Sequence, residues 1–197
     1  LPWKDLEVDV VIESTGVFTK KTKAQAHIQA GAKRVIISAP SKKDDPASTY
    51  LFGVNQGEYD GEEIIDMASC TTNCIGPVMK VMCDKFGVEK SLLVTIHAYT
   101  STQSLVDGPN KKDERRGRAA AQNSVPSTTG AAIATTKALP ELQDKFDGTA
   151  VRIPVVCGSL IDVTMVLKKD TTAEEINKSF AKAAQGELKG ILGVAKD

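Results

Sequence analysis

The 197-residue sequence has no net charge, its 25 basic side chains balancing 25 acidic ones. No overall field therefore draws the chain to nucleic acid or to an anionic membrane. No apolar run approaches the ~20 residues that a membrane-spanning helix requires. The four cysteines form no paired C-x-x-C spacing and no small-scaffold disulfide pattern, which suits a reducing cytoplasm. No signal peptide precedes Trp3 and no initiator Met is present, so the chain is expected to be an internal fragment. Repeats and low-complexity segments are absent. So is the G-x-G-x-x-G fingerprint of a dinucleotide site, together with the acidic residue that would follow it. The phosphate-binding half of a nucleotide fold is thus either lacking or upstream of Leu1.

What is present is a thiol among small hydroxyl-bearing residues, Ala68-Ser69-Cys70-Thr71-Thr72-Asn73-Cys74. After it, Ile75, Val78, Met79, Met82, Cys83 and Phe86 recur at the spacing of one buried helix face. Ser69 or a neighbour can cap that helix, which puts Cys70 in or beside its first turn. Free backbone N–H groups and the positive end of the macrodipole there favour a thiolate. The stretch alone admits two readings, an activated nucleophile or a cysteine that merely packs. Pro77 predicts a kink after the cysteine, or a helix regular only beyond it.

Upstream, Val8 to Ile12 is an apolar run suited to a strand buried on both faces, closed by Ser14-Thr15-Gly16. Lys20 to Ala30 is a helix with Gly31 at its C-terminal cap, and Arg34 to Ser38 is a second strand. Together they make a βαβ unit with parallel strands. Ligands of such sheets bind at the carboxyl ends of the strands, here Thr15-Gly16 and Ser38-Ala39, though ordinary turns share that composition. Ser41 to Pro46 reads as a charged surface loop; Tyr50 to Val54 and Glu63 to Met67 are short strand candidates. A domain change is expected at about Ala68. The fold class is then α/β: residues 1–68 form the second half of a Rossmann-type parallel sheet, and residues 69–197 an α+β catalytic domain.

Ser91 to His97 reads as a strand with Leu93, Thr95 and His97 on one face. His97 ends it just ahead of Thr100-Ser101-Thr102-Gln103. A histidine there can serve as general base and then acid and can support a thiolate, although a structural role fits a lone histidine too. Residues 101–123 show no periodicity, and a loop of that length is functional or disordered. Lys111, Lys112, Arg115, Arg116 and Arg118 make its second half basic, either as solvated surface or as an anion site. Pro126-Ser127-Thr128-Thr129-Gly130 leads into an Ala-rich helix, Ala131 to Leu139, closed by Pro140. Such a start offers hydroxyl and N–H groups to an anion. Thr149 to Val156 is a strand carrying Arg152, which needs an anionic partner in apolar surroundings. Leu160 to Lys168 is another strand, Thr172-Ala173-Glu174-Glu175 is a capping box opening a helix to Gln185, and Ile191-Leu192 reads as a last strand. Two hydroxyl-rich helix starts together with arginines point to phosphate ligands.

At this point the heptapeptide, together with Thr95-x-His97-Ala98-x-Thr100-x-x-Gln103, resembles phosphorylating glyceraldehyde-3-phosphate dehydrogenases. Val11 to Thr19, Ile37 to Pro40, Asp107-Gly108-Pro109, Thr129 to Ala132 and Leu188 to Leu192 fit in the same order, so the likeness covers essentially the whole chain. The resemblance implies that Cys70 attacks an aldehyde, that His97 takes the proton, and that a thioester is cleaved by inorganic phosphate. It implies that Thr100 and Arg152 hold the phosphate of glyceraldehyde 3-phosphate. It also implies that Ser69, Thr71, Arg116, Thr129 and Gly130 hold the attacking phosphate. Thr15, Gly16, Phe18 and Ser38 would line a groove for NAD, with NADP not excluded, and the full-length protein would be a cytoplasmic homotetramer. Val155-Val156-Cys157-Gly158-Ser159 departs from the pattern of many members. An erythrose-4-phosphate dehydrogenase paralogue and a non-catalytic fragment are the alternatives. A zinc site built from Cys70, Cys74, His97 and Cys157 is a rival from another class, weakened by the missing paired spacings.

Overall fold

The computed structural model describes residues 1–111 and 113–195. β1 (Val10–Glu13), β2 (Arg34–Ile37), β3 (Ser48–Thr49) and β4 (Ile64–Asp66) form a first sheet in the order β1-β2-β4-β3, with every pairing parallel. Between β1 and β2, α1 (Lys21–Gln29) packs Ala24 and Ile28 against Val35, Ile37 and Ile64. Gly31 follows the helix at φ 107°, where a Cβ would fall on the backbone of Lys4; only glycine meets both demands. Parallel strands joined by a helix all leave the sheet at one edge.

Tyr50–Val54 is not a strand. The amides of Val54 and Asn55 return to the Leu51 carbonyl at 3.1 and 3.2 Å, and the Asn55 side chain accepts from the Leu51 amide at 2.9 Å. The run is apolar because this turn is tucked inward, with Leu51 fully buried, and not because it joins the sheet. Ser41 departs from the expected surface loop in the same way, since it is buried against Asp66.

The second unit contains α2 (Cys70–Phe86), β5 (Val88–Ala98), β6 (Val125–Thr128), α3 (Ala131–Ala138), β7 (Phe146–Ile153), β8 (Ser159–Leu167) and α4 (Ala173–Gln185). Its sheet runs β6-β7-β5-β8, with β5 and β7 parallel and the two outer pairings antiparallel. Helices cover one face: Ile75, Met79, Met82 and Phe86 of α2 share a buried cluster with Ala131 and Ala132 of α3, Leu93 of β5 and Phe146 of β7. Those four α2 side chains stabilise the helix by about 2 kcal/mol each. That outweighs the ~3 kcal/mol an internal proline costs, and α2 runs unbroken through Pro77 instead of becoming regular only beyond it. The capping box of α4 forms as expected, Thr172 and Glu175 bonding each other's backbone amides.

Further differences have local causes. β6 was hidden by Pro126, which its edge position tolerates because one side of that strand needs no ladder bonds. β7 starts earlier and stops at Ile153, before Pro154, which has no N–H to donate. Ile191-Leu192 is a turn, both amides bonding the carbonyl of Leu188 at 3.0 and 2.9 Å. The long loop after β5 is stitched to itself: Ser104 donates to the Arg116 carbonyl, Gly108 to that of Gly117 and Ala120 to that of Ser104. Lys112 of its basic run lies outside the described residues. Among the described residues no helix is long and apolar enough to cross a membrane.

Gly148 lies opposite Leu93 across the β5–β7 ladder, and an added Cβ would approach the Leu93 carbonyl to 2.8 Å. Gly148→Ala is expected to cost about 1–3 kcal/mol of stability through this overpacking. Urea unfolding measures it, and an unchanged midpoint would show that the ladder yields freely.

Candidate active site

The first sheet delivers its strands to one edge, where β1 runs into Thr15-Gly16, β2 into Ser38 and β4 into the turn before Cys70. Ser69 caps α2. Its Oγ accepts from the Thr72 amide at 3.1 Å and lies 2.7 Å from Thr72 Oγ1. Cys70 is therefore the first helical residue, beside amides that have no partner within the helix. From the second sheet, β5 carries His97 to the same place, with Cys70 Sγ 3.6 Å from His97 Nε2.

The other ring nitrogen decides what Nε2 can do. His97 Nδ1 lies 2.7 Å from the Ala98 carbonyl, which can only accept. The neutral ring therefore carries its proton on Nδ1, a tautomer that leaves Nε2 a lone pair on the side of Cys70. Arg152 stands beside His97 in the β5–β7 register, and its Nη1 donates to the same Ala98 carbonyl at 3.0 Å and to Thr100 Oγ1 at 3.3 Å. The 3.4 Å approach of Arg152 Nη1 to His97 Nδ1 brings two donors together, so it is a contact and not a hydrogen bond.

Among the described residues Arg152 has no carboxylate partner. Its Nε is buried and unbonded, and burial, followed by the like charge of Arg116, pulls the guanidinium below its ordinary value. A hydroxyl chain joins the two cations: Arg116 donates to Thr102 Oγ1 at 3.1 Å, and Thr102 Oγ1 lies 3.0 Å from Thr100 Oγ1, which Arg152 reaches. Two guanidinium groups with hydroxyls between them form a cradle for anionic oxygens. Part of the charge of Arg116 is met by Asp113, at 3.9 Å.

At the other hydroxyl-rich start, Thr129 Oγ1 accepts from the Ala131 amide at 3.2 Å, and Gly130 is the exposed N-cap of α3. Thr71 is buried, its Oγ1 4.0 Å from Cys70 Sγ. Ile75 of α2 and Ala131 and Ala132 of α3 belong to one buried cluster.

Thr15, Gly16, Phe18 and Ser38 stand apart from this cluster, and among the described residues no hydrogen bond links them to Cys70 or His97. Thr15 donates through its amide and hydroxyl to Glu13. Ser38 Oγ lies 2.9 Å from Ser14 Oγ. Phe18 sets its ring edge-on to His27 at 5.8 Å. Burial raises the Glu13 carboxyl, but hydrogen bonds from Thr15 and His27 outweigh it and hold the group below its ordinary value.

All four cysteines are free thiols. Cys83 is half-buried in the core, and burial pushes its thiol up to about 11, away from reactivity. Among the described residues no three His, Cys, Asp or Glu side chains converge on one point. Sequence reasoning missed Thr102, which only its place in the Thr100–Gln103 run could have suggested. It also missed the Ala98 carbonyl, which no residue type announces.

Comparison with known proteins bears on the whole chain. Residues 69–197 match the family described as glyceraldehyde 3-phosphate dehydrogenase, C-terminal domain. A glyceraldehyde-3-phosphate dehydrogenase of Haloarcula vallismortis is 52% identical over all 197 residues, which cover 58% of that protein. One of Mycolicibacterium smegmatis is 56% identical over 193 residues, covering 98% of this chain and 56% of the relative. One of Bacteroides fragilis is 52% identical over the full chain and 59% of its own length. The chain thus spans under two thirds of these relatives, and it belongs to the glyceraldehyde-3-phosphate dehydrogenase family.

Proposed function

We propose that the full-length protein oxidises glyceraldehyde 3-phosphate to 1,3-bisphosphoglycerate, with NAD or NADP and inorganic phosphate, in the glycolysis and gluconeogenesis of the cytoplasm. One observation carries this reading: a cysteine at a helix start lies 3.6 Å from Nε2 of a histidine whose other ring nitrogen is committed to a backbone carbonyl, beside an arginine that has no carboxylate partner among the described residues.

In this reading Cys70 Sγ attacks the aldehyde carbon, forming the C–S bond. The thiol proton passes to His97 Nε2 and then to the former carbonyl oxygen, giving a thiohemiacetal. Nε2 takes that hydroxyl proton back as the carbon loses its hydride, and a thioester remains on Cys70. A phosphate oxygen then bonds the acyl carbon, the C–S bond breaks, and Cys70 leaves as the thiolate. Thr100 and Arg152 hold the substrate phosphate. Ser69, Thr71, Arg116, Thr129 and Gly130 receive the attacking phosphate, and the Thr102 bridge sets the two anions side by side.

The nicotinamide cofactor, when bound, supplies the hydride acceptor. The carboxyl edge of the first sheet fits it as one wall of a groove. Thr15, Gly16 and Ser38 are exposed there, and Gly16, at φ 74°, has no atom within 4 Å of where a Cβ would point. Phe18, half-buried on His27, backs that wall. Residues 1–68 accordingly serve the cofactor and residues 69–197 the chemistry.

A homotetramer is supported by the uncovered face of the second sheet, where Leu92 and Leu160 are 61% and 62% exposed beside Val94 and Val166. A second copy covering that face removes the apolar surface from water. Sedimentation of the full-length protein is expected to give a mass near four times the subunit; a monomer at micromolar concentration would contradict the assembly.

The activity is tested in the full-length protein by following reduced cofactor with glyceraldehyde 3-phosphate, with and without phosphate. Turnover should need phosphate, and His97→Asn should lower it by about 10²-fold or more. Faster, phosphate-independent oxidation of erythrose 4-phosphate would replace the substrate assignment, and an unaffected His97→Asn variant would remove the base.

A further inference from the structure

Asp66, the last residue of β4, is 1% exposed, and the chemistry above makes no use of it. Its two oxygens point to different parts of the chain. Oδ1 accepts from the Ala68 amide at 2.9 Å, inside the turn that leads to Cys70. Oδ2 accepts from the Ser41 amide at 3.2 Å, from Ser41 Oγ, and from Thr49 Oγ1 at 3.1 Å. Ser41 Oγ in turn accepts from the Ala47 amide at 3.0 Å. The carboxylate thus ties the segment that follows β2 to the turn that presents the nucleophile.

That turn needs holding. Ala68 lies at φ 53°, a left-handed conformation that residues with a Cβ rarely adopt. Two side chains pin it from either end. Asp66 takes the Ala68 amide, and Asn73 Nδ2 donates to the carbonyls of Met67 at 2.6 Å and Ser69 at 2.9 Å. Ser69 and Cys70 follow immediately, so a change at Ala68 rotates the whole helix start. The separation of Cys70 from His97 is already at the outer edge of hydrogen-bond reach. A small displacement there is enough to uncouple the pair.

We propose that Asp66 is a positioning residue for Cys70, holding the left-handed turn at Ala68 against an anchor formed by Ser41 and Thr49. The inference rests on the reading of Cys70 as nucleophile, and the two are separable by experiment. In the full-length protein, the rates at which iodoacetamide alkylates Cys70 and Cys74 are measured by peptide mass spectrometry at pH 7. Cys74 lies one helical turn away and is also exposed, so it serves as the internal reference.

Wild type should label Cys70 much faster than Cys74; equal rates would remove the nucleophile reading itself. Given that preference, Asp66→Ala should lower the Cys70-to-Cys74 ratio about tenfold, the scale of a misplaced activating partner. Asp66→Asn retains a carbonyl oxygen for the Ala68 amide but turns an NH2 toward the Ser41 amide, so it keeps the turn's bond and loses the anchor, and the ratio should fall by about threefold. A role limited to overall stability would lower the melting temperature and leave the ratio unchanged. Should Asp66→Ala not fold, the double variant Ser41→Ala/Thr49→Val removes the hydroxyl part of the anchor alone and should lower the ratio about threefold. A wild-type ratio in the folded Asp66→Ala protein, or failing that in the double variant, overturns the proposal.

Discussion

The carbonyl of Ala98 is the acceptor on which the geometry of the site depends. It takes the Nδ1 proton of His97 and a guanidinium proton of Arg152, at 2.7 and 3.0 Å. In the neutral ring the first bond leaves Nε2 its lone pair on the side of Cys70. The second holds Arg152 beside the ring without letting it donate to either nitrogen. A carbonyl has two lone pairs and both are used, so the orientations of the imidazole ring and the guanidinium are set together. The parallel pairing of β5 with β7 supplies the register, since His97 and Arg152 are cross-strand neighbours.

The thiol reaches this point by another route. A parallel sheet releases all its strands at one edge, and the last of them, β4, turns through Ala68 directly into the capped start of α2. The apolar face of α2 packs on the second sheet and on α3, so the helix bearing Cys70 at its first position is fixed by the core and not by a flexible loop. Cys70 and His97 are thereby brought together where β4 of the first sheet runs into α2 and β5 of the second sheet ends.

How much of this was legible in the sequence follows from what each feature writes into residue types. The βαβ unit, α2 with its serine cap and α4 with its capping box were readable because period, cap and stop agree locally. Tyr50–Val54 misled because an apolar run reports burial, and a buried turn is as apolar as a strand. β6 escaped notice because Pro126 and its hydroxyl neighbours look like a loop. Within the candidate site, Cys70, His97 and Arg152 stand out by residue type, whereas the Ala98 carbonyl has no signature and Thr102 is one hydroxyl among several. Asp66 lies within the Glu63–Met67 strand candidate, where nothing in the sequence singles it out; its burial and its partners, distant in sequence, exist only in the folded chain.

The central claim is that Cys70 carries the substrate as a thioester. Mass spectrometry of the full-length protein, mixed with glyceraldehyde 3-phosphate and oxidised cofactor in the absence of phosphate, tests it most directly. The account predicts an acyl adduct confined to the peptide containing Cys70, discharged when phosphate is added. An adduct on Cys74 or Cys157, or reduced cofactor accumulating with no adduct on Cys70, would contradict it.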